Sequence, residues 1–87
     1  MNVYETLLKA RGRDHQLRKA QEECAELIVA INKYLDNPTD FNLEQLIGEG
    51  ADTDNMLHQI RTIFPSKRKL WKQIMDAKKK RALESLK

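Results

Sequence analysis

The segment "DNPTDFN", residues 36 to 42, decides how this chain folds. Asp, Asn, Pro and Thr favour chain reversal, because their side chains or fixed backbone angles compete with helix continuation. Apolar residues recur at three- and four-residue intervals on both sides of the segment, and this is the spacing of amphipathic helices. The segment therefore predicts a reversal between two antiparallel helices.

Helix-start signals extend this prediction to the whole chain. Asn2 with Glu5 resembles a capping box, and Asn42 with Gln45 forms a second one directly after the turn. Ser66 is a predicted cap for the last helix. We predict an all-α fold, an antiparallel helical bundle of about four helices in one domain, residues 1–87. The predicted helices lie near residues 2–11, 14–35, 42–64 and 66–86.

The chain is short enough that its own core is expected to be small. Eighty-seven residues form one domain that leaves much of its surface exposed. Self-association is a usual remedy for a small core, so we expect a homo-oligomer, a dimer or a tetramer, to complete the bundle. A single cysteine, Cys24, excludes an intramolecular disulfide and favours a cytoplasmic protein. No stretch approaches the roughly 20 apolar residues that span a bilayer, so no membrane partner is expected.

Charge is distributed unevenly along the sequence. Residues 67–87 contain nine basic and two acidic residues, a net charge of +7, which leaves −4 on residues 1–66. An acidic body suits a cation, and a basic tail suits phosphates. A nucleic-acid-binding role for the tail is the less favoured interpretation, because the tail lacks interleaved aromatic residues for base stacking. A solvated C-terminal helix also fits the charge.

Two pairs of carboxylates interrupt the apolar faces of the two central helices. Glu23 and Glu26 are three residues apart, as are Glu49 and Asp52, and this spacing turns each pair by only about 60° on a helix. Each pair lies roughly 13–16 Å from the turn at 1.5 Å per residue. On antiparallel helices the two pairs should therefore face each other.

Four facing carboxylates would repel one another, so they require a cation. We expect no lysine on the interior faces of these helices, and an all-oxygen cluster matches the preference of Mg²⁺ or Mn²⁺. The alternative is that the acids are exposed and pair with neighbours such as Lys19 or Lys33. The sequence therefore predicts a metal centre without excluding a set of surface ion pairs.

The motifs "ECAE" at 23–26 and "EGAD" at 49–52 resemble the MazG-like all-α nucleoside triphosphate pyrophosphohydrolases. The similarity covers nearly the whole chain, and "KKKRALESL" at its end is similar to compact, phage-type or Firmicutes-type members. The resemblance implies hydrolysis of a (deoxy)nucleoside triphosphate to the monophosphate and pyrophosphate. It also implies that Mg²⁺ is held, and catalysis performed, by Glu23, Glu26, Glu49 and Asp52.

The same resemblance implies substrate-binding residues outside the acidic motifs. Lys78 and Arg81, one turn apart on the last helix, would hold phosphates, either in the same subunit or in a partner's site. His15 and Gln16 resemble a family position near the base or sugar. The alternatives are a solvated lysine run for the first pair and a histidine without special function for the second.

Gly48 and Gly50 depart from the family pattern, because they flank Glu49 where better helix formers are usual. They indicate close approach of a neighbouring backbone, a local kink, or a degenerate enzyme. A non-catalytic helical protein-interaction module remains the main alternative function.

Overall fold

The computed structural model describes all 87 residues and consists of helices and short connections. The elements are α1 (Val3–Arg11), α2 (Arg13–Asp36), α3 (Asp40–Ile63), a 3₁₀ turn (Pro65–Lys67) and α4 (Arg68–Glu84). The predicted all-α class with four helices is confirmed. None of the four combines the length and the apolar character needed to cross a bilayer.

Helices α2 and α3 form the central antiparallel pair, and α1 packs against both. The Gln16 side-chain amide donates to the Gln59 side-chain oxygen over 3.0 Å, while the Thr53 hydroxyl reaches the Glu23 carbonyl oxygen at 3.3 Å. Moving forward along α2 from Gln16 to Glu23, the partner on α3 moves backward from Gln59 to Thr53. The two helices are therefore antiparallel. The predicted reversal at residues 36–42 is confirmed.

Side-chain caps fix the first residues of α1 and α3. The predicted capping box of α1 is confirmed, with Asn2 Oδ1 accepting from the Glu5 backbone at 2.9 Å and Glu5 accepting in return at 3.2 Å. The predicted cap of α3 is wrong, because the Thr39 hydroxyl accepts from the Asn42 backbone and α3 begins at Asp40. Asn42 instead donates its side-chain amide to the Asn37 carbonyl oxygen over 2.9 Å, which ties the first turn of α3 to the preceding loop.

Two short junctions join the outer helices to the central pair. Gly12 alone separates α1 from α2, with φ of 89° and ψ of 161°, a backbone conformation open almost only to glycine. At the other end, Pro65 opens the 3₁₀ turn that follows α3. Ser66 lies inside this turn and caps nothing, so the predicted start of the last helix at residue 66 is wrong. Its true start is Arg68.

The interior of the single chain contains very little apolar material. Only six residues are buried, and just two of them are apolar: Ala20, Ala30, Gln16, Glu23, Thr53 and Gln59. The chain exposes 6903 Å², whereas a compact folded monomer of this mass exposes about 5,300 Å². Its radius of gyration is 15.7 Å, against about 12 Å for a compact domain of this length. The chain is therefore more open than a self-sufficient domain.

Helix α4 accounts for much of this openness. It joins the rest of the chain mainly through the 3₁₀ turn, and every residue of α4 except the half-buried Trp71 is exposed. The guanidinium of Arg61, near the end of α3, lies 5.1 Å from the centre of the Trp71 ring, a cation–π contact. The predicted four-helix bundle is thus a three-helix layer with a projecting fourth helix.

Candidate metal centre

Carboxylates from α2 and α3 converge between the two central helices. One oxygen each from Glu23, Glu49 and Asp52 lies within 4.8 Å of the others. Glu23 comes from α2 and the other two from α3. The structure therefore brings together three of the four acids that the sequence singled out.

Glu26 lies at the edge of this carboxylate cluster, which we define as Glu23, Glu49 and Asp52. The Glu26 side chain is exposed and is not part of the close group, yet it shares a cavity wall with Glu49. The pKa of Glu49 is raised above its ordinary value, first by burial and then by the charges of Glu26 and Glu23. Glu26 therefore acts on Glu49 from beside the cluster, although it lies outside the close group of three.

Two oxygens of the cluster are buried without a hydrogen-bond partner. They are Oε2 of Glu23 and Oε2 of Glu49, and the Glu23 side chain as a whole is only 9% exposed. An ionised oxygen removed from water without a partner is unfavourable by several kcal/mol. Hard divalent cations such as Mg²⁺ take carboxylate oxygens as ligands, so the residues present fit such an ion. The fit rests on the unpaired oxygens as well as on the acidic character of the cluster.

Lys19 meets Glu23 from the preceding turn of α2. Its Nζ lies 3.1 Å from Oε1 of Glu23 and 3.5 Å from Oε2 of Glu22, and the bond to Glu23 raises the pKa of the Lys19 ammonium. The pairing of an acid with Lys19, which the sequence analysis named as the alternative, is present for Glu23, so the expectation that the interior faces offer no lysine is wrong at this residue. The i,i+4 spacing was the available signal. Lys19 neutralises one oxygen of Glu23 and leaves the other facing the cluster.

Thr53 fixes the two central helices to each other at the cluster. Its buried hydroxyl lies 2.9 Å from the Glu49 carbonyl oxygen and 3.3 Å from the Glu23 carbonyl oxygen, and donates its single hydrogen between them. Sequence reasoning did not assign Thr53 a function, although it lies on the same stripe as Leu46 and Ile60. The spacing of the acids across the helix pair is held by this contact.

The two glycines beside Glu49 are not explained by crowding. No atom from elsewhere in the chain lies within 4 Å of the position that a Cβ would take at Gly48 or Gly50. Close approach of a neighbouring backbone within the chain is therefore excluded. Helix α3 runs without interruption through both positions, so in the single chain the glycines only weaken it.

Two cavities border the cluster on opposite sides. One of about 240 Å³ lies on the α1 side and is lined by Leu7 and Asn55 together with Glu23 and Asp52. The other, of about 460 Å³, lies toward the turn, where Glu26, Glu49, Lys33 and Phe41 are among its lining residues. A ligand can therefore approach the carboxylates from either side.

Of the two residues predicted near a base or sugar, Gln16 lies in a buried network, whereas His15 is exposed at its edge. Gln16 is fully buried, and its side-chain oxygen is 3.0 Å from Nδ1 of His15, while its amide donates to Gln59. Gln59 in turn donates to the Tyr4 carbonyl oxygen over 3.0 Å. The network links α1, α2 and α3, so the Gln16 amide is committed to holding the helices together. Nothing in the spacing of the sequence indicated Gln59.

The predicted phosphate-binding pair lies away from the cluster in the single chain. Lys78 and Arg81 are exposed on α4, and Lys78 lines a cavity of about 580 Å³ together with Asp54 and Leu57 of α3. At 100° per residue, the side of α3 that carries Asp54 and Leu57 is turned about 140° from the side that carries Glu49 and Asp52. The structure does not bring this basic pair to the carboxylates of its own chain.

Similarity to known proteins does not assign this chain to a family. No protein-family model, curated protein or solved structure matches the chain.

Proposed function

We propose that this chain is a Mg²⁺-dependent nucleoside triphosphate pyrophosphohydrolase of the MazG-like type. It would convert a (deoxy)nucleoside triphosphate and water to the monophosphate and pyrophosphate, in nucleotide-pool control or housecleaning in the cytoplasm. The observation that carries the proposal is the pair of buried, unpaired oxygens, Oε2 of Glu23 and Oε2 of Glu49, inside a cluster of three carboxylates. The order of the motifs, "ECAE" before "EGAD", supports the same function.

The four acids would have different functions in such a site. Glu23, Glu49 and Asp52 would hold the ion, because their oxygens meet within 4.8 Å. A bound Mg²⁺, or Mn²⁺ in its place, would supply charge neutralisation for the triphosphate and polarisation of the α-phosphorus. Glu26 is exposed beside Glu49 and outside the close group, so it is our candidate for the general base that takes a proton from the attacking water.

We also propose that the working protein is a homo-oligomer, a dimer or a tetramer. The single chain exposes about 1,600 Å² more than a compact monomer of its mass. A standard protein interface removes about 800 Å² from each partner, so two such contacts, or one larger interface of the obligate kind, would cover the excess. Large apolar side chains are exposed on both α2 and α4, including Ile28, Leu35, Leu70 and Ile74. Their cover by further copies would supply the apolar burial that a single chain lacks.

The test incubates the purified chain with a panel of nucleoside triphosphates and Mg²⁺ and identifies the products. We expect pyrophosphate and a nucleoside monophosphate, and we expect Glu23→Gln and Glu49→Gln to abolish both. Glu44→Gln is the matched control, because Glu44 is an exposed glutamate on α3 outside the cluster. It should retain activity, and circular dichroism should show unchanged helix content in all three variants. Orthophosphate and diphosphate as products would refute the proposed bond cleavage.

Metal binding is measured separately by thermal denaturation with and without Mg²⁺. The wild-type chain and Glu44→Gln should melt at a higher temperature when Mg²⁺ is added, because a ligand that binds only the folded state stabilises it. Glu23→Gln should lose this rise. A wild-type melting temperature that Mg²⁺ does not change would refute the metal centre.

The second candidate is a non-catalytic helical protein-interaction module, which the exposed apolar surface of α2 and α4 favours. This candidate predicts that Glu23→Gln leaves partner binding intact and stabilises the metal-free chain, because it removes one charge from the cluster. Loss of Mg²⁺-dependent hydrolysis in the same variant would favour the enzyme.

A further inference from the structure

Helix α2 carries a second row of mainly apolar residues, apart from the face that packs inside the chain. Its members follow one another at intervals of four, three, four, three and four residues: Leu17, Gln21, Cys24, Ile28, Ile31 and Leu35. We call this row the outer seam. At 100° per residue it occupies an arc of about 80°, centred about 100° away from the buried residues of α2. Alternating steps of three and four along one helix are the spacing of a coiled-coil seam.

The outer seam is largely uncovered in the single chain. Ile28 is 61% exposed, Leu35 is 71% exposed, and Ile31 between them is 40% exposed. Leu17 and Ile28 line an open cavity of about 850 Å³ together with Ile60 of α3. A protein that works as a monomer rarely leaves a continuous apolar surface open to water. The outer seam therefore has the properties of a protein–protein interface.

The spacing of the outer seam matches a second copy of α2 that runs in the opposite direction. The intervals are the same when read from either end, and their midpoint is at the height of residue 26. An antiparallel copy therefore forms matched layers on both sides of the midpoint: Leu17 with the partner's Leu35, Gln21 with the partner's Ile31, and Cys24 with the partner's Ile28. A two-fold axis at the midpoint repeats each layer. Gln21 is the one polar member, and a single polar residue in such a seam specifies the register of the helices.

Charges beside the outer seam also favour the antiparallel direction. Arg18 and Asp36 are exposed and lie about five turns apart, on the same side of α2. In an antiparallel pair each Arg18 comes within about 3 Å, along the helix axis, of the partner's Asp36, whereas a parallel pair keeps the two about 27 Å apart. Asp14, on the same side, is already paired with Arg13 over 3.0 Å. An exposed ion pair adds little stability, so its contribution here is to the direction of pairing.

We propose that two copies of the chain pair through their outer seams, with the two α2 helices antiparallel about a two-fold axis. The chain exposes about 1,600 Å² more than a compact monomer of its mass, and a standard interface removes about 800 Å² from each partner. The excess area is thus sufficient for this pairing. The inference rests on the proposed homo-oligomer and is independent of the proposed reaction.

The pairing leaves the carboxylate cluster of each chain open. Around the axis of α2, Glu23 is turned about 120° and Glu26 about 180° from the centre of the outer seam. The partner therefore covers a side of α2 that carries neither of these acids. Each chain of the pair keeps a carboxylate cluster of its own.

Disulfide cross-linking between unlike chains tests the pairing and its direction. Cys24 is exposed and is the only cysteine, so the wild-type chain has a single reporter. It is co-expressed with a differently tagged chain that carries Cys24→Ser and Ile28→Cys, and the product is oxidised with copper phenanthroline. Antiparallel seams place the two unlike reporters side by side, so the disulfide should join unlike chains only. Two like reporters lie about 6 Å apart along the axis in addition to the separation of the helices, which is beyond the reach of a disulfide.

Two other cross-linking results overturn the proposal. A parallel pair places like reporters side by side, so cross-links between like chains would refute the antiparallel direction. An assembly that forms no cross-link at all would show that the outer seams are not in contact. The control replaces the second chain by one that carries Cys24→Ser alone, and this mixture should give no cross-link.

Light scattering with two matched isoleucine substitutions tests the surface without a cysteine. Ile28→Glu places a charge on the outer seam, whereas Ile47→Glu places one on α3 at nearly the same exposure, 61% against 62%. Ile28→Glu should lower the molar mass about twofold, and Ile47→Glu should leave the cross-link between unlike chains in place. Both variants should keep the helix content of the wild-type protein. An unchanged molar mass for Ile28→Glu, or a monomeric wild-type protein, overturns the proposal.

Neither experiment depends on catalysis. A chain that cross-links in the expected pattern but hydrolyses no nucleotide would refute the proposed reaction and leave the outer seam standing. A chain that hydrolyses nucleotides without the cross-link would refute the pairing through the outer seam alone.

Discussion

Substitution of glycine by alanine at three positions should change stability in opposite directions. Gly48 and Gly50 lie within α3, whereas Gly12 joins α1 to α2 at a φ of 89°. No atom from elsewhere in the chain lies within 4 Å of a Cβ at any of the three positions. The substitutions therefore differ in backbone conformation and not in the space available.

The magnitudes follow from the backbone alone. In a helix interior, alanine is more favourable than glycine by about 0.8–1.0 kcal/mol, so Gly48→Ala with Gly50→Ala should raise the free energy of unfolding by about 1.5–2 kcal/mol. For a chain of this size the melting temperature should rise by roughly 6–16 °C. At Gly12 the strained conformation should instead cost about 1–3 kcal/mol when a Cβ is present.

The assay is urea and thermal denaturation followed by circular dichroism, with all variants at one chain concentration because an oligomer melts in a concentration-dependent manner. Hydrolysis is measured on the same preparations. We expect the double variant of α3 to be at least as active as the wild-type protein, because a Cβ added at either position meets no atom from elsewhere in the chain. The reasoning is refuted if all three substitutions shift stability in the same direction.

Three further predictions test the network, the cluster and the outer helix. Gln59→Ala leaves the buried amide of Gln16 without an acceptor, so urea denaturation should show a loss of about 2–3 kcal/mol. Burial and neighbouring carboxylates raise the pKa of Glu49, so the folded chain holds this proton more tightly than the unfolded chain does. The stability of the metal-free chain should therefore fall as pH rises from 4.5, the ordinary pKa of Glu49, to neutrality. The rise in melting temperature that Mg²⁺ causes should grow over the same interval. Lys72→Ala breaks an ion pair with Asp76 in which both side chains are largely exposed, and the melting temperature should not change measurably.

Helix ends could be predicted from sequence where the signal lies within a few residues. The capping box of α1 needs only Asn2 and Glu5, and both bonds are present. At the start of α3 two cap-forming residues, Thr39 and Asn42, lie three apart, and local pattern does not choose between them. The choice depends on the bond from the Asn42 side chain to the loop carbonyl of Asn37.

The convergence of the carboxylates could be predicted because it depends on two simple quantities, the position of the turn and the rise of a helix. The unequal burial of the acids could not. Glu23 is buried while Glu26 is exposed, and this difference depends on how α2 is rotated against α1 and α3. The pairing of Gln16 with Gln59 joins residues 43 positions apart and has no periodic signal.

The direction of α4 could not be predicted from the sequence, for a different reason. It is set by the 3₁₀ turn at Pro65–Lys67 and by the contact between Arg61 and Trp71. Neither produces an apolar repeat. The sequence could therefore place the basic pair on its helix, but not that helix relative to the carboxylates.

Only two apolar residues, both alanines, are buried in the single chain, and this affects how much functional protein a cell contains. A chain that buries so little apolar surface opens readily, and proteases act on the open form. If assembly protects it, the number of dimers at low abundance varies as the square of the number of chains, so halving synthesis would lower the working protein about fourfold. Gene dosage would then control this protein far more steeply than it controls a monomer that folds by itself.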